Sequence, residues 1–547
     1  MFDRNKLRPI GTTSSSLYEA EGGSPTFDLV PFRVSAGKHP ALGTFVLIGR
    51  QGEGNVYHYG RIVQGSEINP KAQPSRLQQD EAYGMARDDI RSSEQAPDLV
   101  RVMQVELLGE IHLTDGDPVI TDPRSLPQTG QAVYEMPARV IPKLLGLPEP
   151  PEPDRPQPGE EAPKRGNLRP PLKEGALYIG HVESGGETVP LLIPGRMLAR
   201  HIAIVGKTGV GKSYAAGVLI EELVKQEVPV IAFDILGDTE QTTEELGGKN
   251  WEAGKDFLVP YSIIGAAEFL DFFPTLTRDQ KPLVDMAYDV VYGEALAAVD
   301  RGKLPDLGLD RLLEEIEEAG RAMGSRATTG AVRRIRSGFR HSLVLTDREV
   351  DWPNTVRQHP VTNIYVGHLG QRHRNLVVGA AARILQRLRR RDRIPPFVLI
   401  LDEAHLFLPG GGETTPSTRV IREMIRTARH DGIGIVLLSQ SPSSMDKQAL
   451  LTCNTRIVFA LDPDDRRVIA GQMGDLPEVV LRRLSRLPQG TAVIASAMDL
   501  LRHPVLVHIR ERETEHPAKT PNLIEEAAHW EGKEEQRQYW TFDNKRQ

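Results

Sequence analysis

Eight consecutive residues, Gly206-Lys207-Thr208-Gly209-Val210-Gly211-Lys212-Ser213, set three glycines, a lysine and a hydroxyl at a spacing that suits a phosphate chain. Glycines let the backbone curl so that successive N–H groups, and the positive end of a following helix, face the phosphates. Lys212 would reach the β- and γ-phosphates and Ser213 would hold Mg²⁺. The candidate ATP-binding set is therefore Gly206, Thr208, Gly209, Val210, Gly211, Lys212, Ser213 and Tyr214. Such a loop works only between a strand and a helix. The β-branched run Ile202, Ile204, Val205 supplies the strand, and residues 214–225 (YAAGVLIEELVK) have a helical composition.

A second apolar run, FVLIL, ends in Asp402-Glu403. With a P-loop upstream, Asp402 is expected to anchor Mg²⁺ through water, and Glu403 to orient and deprotonate the attacking water. The next apolar run, GIVLLSQ, ends at Gln440, and a parallel sheet would deliver that side chain to the same carboxyl edge, where it suits a γ-phosphate sensor. Asp234 ends the run VPVIAFD on that edge too, and either a Mg²⁺-bound water or capping of the next turn suits it.

Before GIVLLSQ lies a helical pattern, Ser417–His430, with arginines at 419, 422, 426 and 429 and apolar Ile421, Met424, Ile425 and Ala428. Steps of three, four and three put all four arginines on one face. Arg419 and Arg422 are read as a solvated stripe. ATP hydrolysis needs positive charge on the γ-phosphate, and the loop carries no arginine, so a charge supplied by an adjacent subunit is expected. Arg429 is the first candidate and Arg426 the second.

With 547 residues, 39 % of them hydrophobic, the chain is long enough for two or three domains. No stretch approaches a membrane span, and the start MFDRNKLRPI lacks an apolar signal region, so a cytoplasmic location is expected. The single cysteine, Cys453, is expected to be core filler. A net charge of −7 means that any DNA contact must be local. Three basic clusters stand out: Arg333-Arg334-Arg336-Arg340-His341, Arg372-His373-Arg374, and Arg387-Arg389-Arg390-Arg391. The second follows a strand end and ranks first as a phosphate contact.

Short β-rich runs between about 26 and 140 suggest a small β-barrel with a polar insertion at 64–98. Residues 148–163 hold seven prolines in sixteen positions and read as a stiff linker that keeps the barrel at a distance. Strands are expected at 201–205, 228–234, 363–369, 397–403, 434–440, 456–461 and 491–495, alternating with helices as a mostly parallel α/β sheet requires. The divisions on this reading are an extension (1–24), the barrel (25–145), the linker (146–167), the ATPase core (168–510) with a mainly helical insertion at about 240–355, and a tail (511–547). Trp530, Tyr539, Trp540 and Phe542 suit docking, with plain disorder as the equal alternative reading of this charged tail.

Together, RHIAIVGKTGVGKS, LILDEAH with His405, the block RTARHDGIGIVLLSQSP and a preceding barrel resemble the HerA-type hexameric DNA translocases of the HerA/FtsK branch of P-loop ATPases. The resemblance implies a RecA-like core that binds ATP and Mg²⁺, a homohexamer acting as a double-stranded DNA translocase or helicase, and a NurA-like nuclease or other effector at the barrel. End processing, repair and anti-phage defence are the roles it implies. It gives Lys212, Ser213, Asp402, Glu403 and Gln440 nucleotide roles and Arg429 the finger role. Two departures are visible: Asp234-Ile235-Leu236-Gly237-Asp238 replaces a run like Asp-Pro-His-Gly-Glu, and Ser441 stands where arginine is usual. An ATPase that assembles or signals through an effector, and a protein-remodelling or secretion motor, are the competing readings.

Overall fold

Alternating apolar residues bounded by Gly, Pro and Asp form the N-terminal strands, as a half-buried sheet requires. The computed structural model describes residues 7–15, 24–50, 55–68, 100–113, 118–150, 175–184, 186–303, 305, 307–348, 350–411, 415–471, 478–497 and 499–515. Most of the polar insertion, the body of the proline-rich linker and the aromatic residues of the tail lie outside these.

Seven strands, β1 (Pro9–Thr13), β2 (Leu29–Val34), β3 (Phe45–Gly49), β4 (Val56–Ile68), β5 (Val100–His112), β6 (Val119–Thr121) and β7 (Ala132–Glu135), pair in the order 2-1-7-3-4-5-6. A further β2–β5 pairing closes six of them into a barrel. The barrel thus begins with β1, ahead of residue 25.

Period-two alternation in β3 shows how the barrel is attached. Val46 and Ile48 point into the barrel with Val30, Phe32, Val105 and Val133. Phe45 and Leu47 point outward into a second core that includes Leu144 and Leu145, Ile202 and Ile204 of the P-loop strand, and Leu219 of the P-loop helix. At the same seam the Tyr59 hydroxyl meets His503 Nε2 at 3.2 Å, and Arg61 donates to the Pro504 carbonyl at 2.8 Å. The expectation of a module held at a distance is therefore wrong. Barrel and ATPase share one apolar interior, because outward-facing barrel residues such as Phe45, Leu47, Tyr57 and Ile111 are apolar and need cover.

The main sheet has eleven strands in the order β12-β15-β11-β16-β17-β10-β18-β19-β20-β8-β9. Its parallel part consists of β10 (Ile202–Val205), β11 (Val230–Asp234), β12 (Lys249–Glu252), β15 (Val361–Tyr365), β16 (Phe397–Leu401), β17 (Ile433–Ser439) and β18 (Thr455–Val458). All seven expected strands are present. Four strands are antiparallel: the expected β19 (Thr491–Ala495) leads to β20 (Val505–Ile509), then to the hairpin β8 (Ala176–Ser184) and β9 (Glu187–Pro194), and these last three were missed. Two β-rich runs flanking Gly185-Gly186 were the available hairpin signal.

Helices cover both faces. Those used below are α1 (Lys212–Lys225), α2 (Lys281–Asp300), α3 (Leu309–Ala322), α4 (Thr328–Arg340), α5 (Gln371–Arg390) and α6 (Pro416–Asp431). Within the stretch read as a helical insertion, β12 adds an edge strand to the main sheet and β13 (Val259–Pro260) pairs with β14 (Leu345–Thr346). α6 starts at Thr415, whose side chain accepts from Thr418 N–H, and ends at Gly432 in the left-handed region (φ 69°).

Candidate active site

The P-loop leaves β10 and turns into α1 through Gly211, which sits at φ 112°, a conformation that a side chain would strain. Lys207 N–H donates to the Ala460 carbonyl at 2.8 Å and Gly206 N–H to Ser439 at 3.3 Å, pinning the loop to the two flanking strands. Lys212 is buried and donates from Nζ to the Lys207 carbonyl at 3.0 Å, inside its own loop. Burial lowers its pKa, against the raising influence of Glu403, Asp402 and Asp238.

The ends of β16 and β17 close on this loop. Thr208 Oγ1 donates to Gln440 Oε1 at 2.7 Å, and Gln440 N–H donates to Glu403 Oε2 at 3.3 Å, so one chain of bonds joins all three. Glu403 adopts φ 43°, a strained left-handed conformation for a residue with a side chain. Burial opposes its ionisation, but His405 (Nδ1 at 3.2 Å), the Gln440 N–H and Lys212 outweigh it and hold its pKa below the usual carboxylate range. That carboxylate is ionised at neutral pH, as a proton acceptor must be.

Asp402 behaves in the opposite way. Burial, then Asp234 and Glu403, push its pKa up to about 7. An acid so placed favours a cation beside it. Among the described residues no group of three or more His, Cys, Asp or Glu side chains converges as a metal cage. Mg²⁺ in general is held largely by substrate phosphates and water with few protein ligands. Asp234 resolves to the capping reading: its oxygens accept from Leu236, Gly237 and Thr239 N–H at 2.8–3.0 Å and shape the turn that carries Asp238.

The arginines fall elsewhere. α6 runs back along the sheet and ends where β17 begins, so exposed Arg426 and Arg429 lie at the amino end of the strands, opposite the P-loop. Among the described residues the ion pair of Arg426 is an exposed 3.8 Å contact with Glu423. Arg422 is not part of a solvated stripe, because it pairs with Asp446, which caps the next short helix. Cys453 is fully buried, with its pKa pushed up to about 12 by burial, as core filler should be.

Sequence reasoning missed a strap at residues 510–515. Arg510 is buried, forms an ion pair with Glu221 Oε2 at 2.8 Å and donates to Glu222 Oε1 at 2.7 Å, two acids of α1 that are themselves 1 % exposed. Glu221 Oε1 also accepts from Glu513 N–H, Thr514 N–H and Thr514 Oγ1 at 2.8–2.9 Å. Arg512 N–H donates to the Tyr214 hydroxyl at 2.7 Å, so the side chain of Tyr214 is committed to the strap. Gly217 makes room, since a Cβ there would lie 2.5 Å from the Arg512 guanidinium carbon. Two adjacent acids on the buried face of α1 were the sequence signal that a distant cation was needed.

The loop, the strand-end acids and the glutamine define a P-loop ATPase with a RecA-like core that uses ATP and Mg²⁺. Residues 177–365 match the family described as "Helicase HerA, central domain". A probable helicase of Methanocaldococcus jannaschii is 22 % identical over 452 residues, covering 80 % of this chain and 82 % of that protein. The DNA double-strand break repair helicase HerA of Sulfolobus acidocaldarius is 24 % identical, covering 62 % and 71 %. Among solved structures, VirB4 of Thermoanaerobacter pseudethanolicus aligns with a TM-score of 0.47 at 17 % identity, over 62 % of this chain and 97 % of that one. The chain is similar to HerA-type ATPases over these stretches. Among the described residues no helix is long and apolar enough to cross a membrane.

Proposed function

We propose that this chain is an ATP-driven translocase or helicase of double-stranded DNA that works as a homohexamer. The observation that carries the ATPase half is the bonded series Thr208, Gln440 and Glu403, which ties the phosphate loop to the ends of two core strands. In this reading Gly206, Thr208, Gly209, Val210, Gly211 and the Tyr214 backbone line the triphosphate. Lys212 neutralises the β- and γ-phosphates. Ser213 and Asp402 hold Mg²⁺, which when bound withdraws charge from the γ-phosphate. Glu403 takes the proton of the attacking water and Gln440 contacts the γ-phosphate. The DNA half is supported by the names of the relatives, probable helicases and DNA double-strand break repair helicases.

Arg429, with Arg426 second, serves the P-loop of the neighbouring subunit, and the opposite placement of arginines and P-loop on the strands supports this. The outer barrel wall is the docking face for a NurA-like nuclease or another effector that acts on DNA ends in repair or anti-phage defence. Because barrel and ATPase share a core, deleting residues 1–165 is expected to destroy ATPase activity rather than spare it. ATP turnover of the purified chain with and without linear duplex DNA tests the main reading. Several-fold stimulation is expected, and unchanged turnover with DNA demonstrably absent from the complex favours the effector-assembly reading.

A further inference from the structure

Of the three basic clusters, one keeps three exposed arginines without an ion pair among the described residues. Arg387 and Arg391 both pair with Asp300 of α2, Arg390 pairs with Asp431, and Arg389 with Asp392. Arg374, ranked first from the sequence, turns back on its own loop. It donates to the carbonyls of Val366, Gly367 and Leu369 at 2.9–3.3 Å, while His373 packs edge-on against Phe272. Guanidiniums with their donors already taken are poor phosphate ligands.

α4 differs. It buries Ala331 and Ile335 beneath it, and Arg334 is tied to Gln280, but Arg333, Arg336 and Arg340 are exposed and make no ion pair among the described residues. At 100° per residue the three fall within an arc of roughly 60°, with Thr329 and Ser337 on the same stripe. No acid occurs anywhere in the helix TTGAVRRIRSGFR. Of the five acids of neighbouring α3, Glu315 pairs with Arg311 and Glu318 lies near Arg321, and none pairs with an α4 arginine among the described residues. In a chain of net charge −7, an acid-free face about 10 Å long is a local exception.

Its position also matters. The chain leaving α4 passes Leu343, whose carbonyl lies 3.0 Å from the Cβ position of Gly254, and Val344 accepts from Val259 N–H at 2.7 Å. Gly254 follows the carboxyl end of β12, and Ala253 N–H bonds to Tyr365 at the end of β15. Val366, next in line, donates to the Asp234 carbonyl at 2.9 Å. The arginine end of α4 thus sits on the same sheet edge as the P-loop, joined to it through the ends of β15 and β11.

We propose that Arg333, Arg336 and Arg340 form a contact surface for the phosphate backbone of duplex DNA. The proposal rests on the DNA-motor reading above and adds the surface through which DNA is held. Guanidiniums in one row, with hydroxyls between them and no acid, match a regular line of phosphates and carry no base-reading geometry, so binding is insensitive to sequence.

The test uses the full chain and a 40-base-pair duplex of mixed sequence, with affinity measured across a salt series. Arg333→Gln/Arg336→Gln/Arg340→Gln is expected to bind at least tenfold more weakly at moderate salt and to flatten the log–log salt slope by about three. Turnover without DNA is expected to be unchanged, and the triple lysine variant to keep most of the slope. Removing equal charge at Arg301, Lys303 and Arg321 is expected to flatten the slope by less than one. Wild-type affinity and slope in the glutamine variant overturn the proposal while leaving the DNA-motor reading intact, and would favour an acidic protein partner for α4. A wild-type chain that fails to bind duplex DNA at all overturns the underlying reading instead.

Discussion

Arg429 and Arg510 are both arginines beside the ATPase sheet, yet they stand in opposite circumstances. Arg510 is 6 % exposed and bonded to two buried acids of the P-loop helix, whereas Arg429 stands in solvent at the end of α6. A buried guanidinium with both acids satisfied is part of the fold. An exposed one costs the isolated chain nothing to lose, so any strong effect of losing it reports an encounter outside the chain. The comparison separates groups that hold the nucleotide pocket in shape from groups that act on its contents.

The largest expected effect breaks the comparison most directly. Arg429→Ala should change stability by no more than about 0.5 kcal/mol, as an exposed substitution does. It should cut ATP turnover by about 10³-fold or more if it acts as an arginine finger. Mixing it with Lys212→Ala subunits should restore part of the activity, because some interfaces then pair an intact P-loop with an intact arginine. Absence of recovery in mixtures proven to exchange subunits removes the trans role. Arg426→Ala gives the same readout for the second candidate.

Next comes Glu403→Gln, expected to lower turnover by about 10²–10⁴-fold while ATP stays bound, since the metal site survives and the proton acceptor does not. Retention of more than about a tenth of the activity would reassign the base. Arg510→Ala sharpens the other side of the comparison. Stranding two buried carboxylates should cost about 3–5 kcal/mol in a denaturant melt, with ATP affinity lost through the helix rather than through the chemistry. A melt unchanged within about 1 kcal/mol would show that the strap is dispensable.

The smallest effect is one of pH. His503, at the barrel seam, has its pKa lowered to about 4 by burial and then by Arg61 and Arg502. Its folded pKa lies below its unfolded value near 6.5, so the unfolded state takes up the proton first as pH falls. Stability should therefore drop between about pH 6.5 and 4, by at most about 1.4 kcal/mol per pH unit from this residue, and His503→Gln should reduce that slope. An identical slope in the variant places the acid sensitivity elsewhere.

The P-loop and Asp402-Glu403 were legible because each is a contiguous run whose chemistry is written in adjacent residues. Gln440 was legible one step further, since parallel topology brings the ends of neighbouring strands together. What escaped was settled by partners far along the chain. Arg374 looks like a phosphate ligand until its carbonyl partners at residues 366–369 are seen, and Arg387 until Asp300 is. The barrel strands were read, but not that Phe45 and Leu47 face the ATPase, because alternation shows two apolar faces without showing what covers the second. Asp234 had two equal readings until the turn it caps was visible.

The strap has a consequence for how the protein is made. Glu222 and Arg510 are separated by 288 positions, which at roughly 5–20 residues per second is a delay of about 15–60 seconds on the ribosome. Through that interval the P-loop helix carries two carboxylates meant for burial, with Lys225 of its own helix as the one cation bonded to Glu222. The Walker loop is among the first parts of the ATPase to be synthesised and among the last to be finished. A nascent chain therefore carries the motif before residues 510–514 can fold back over a helix made long before them.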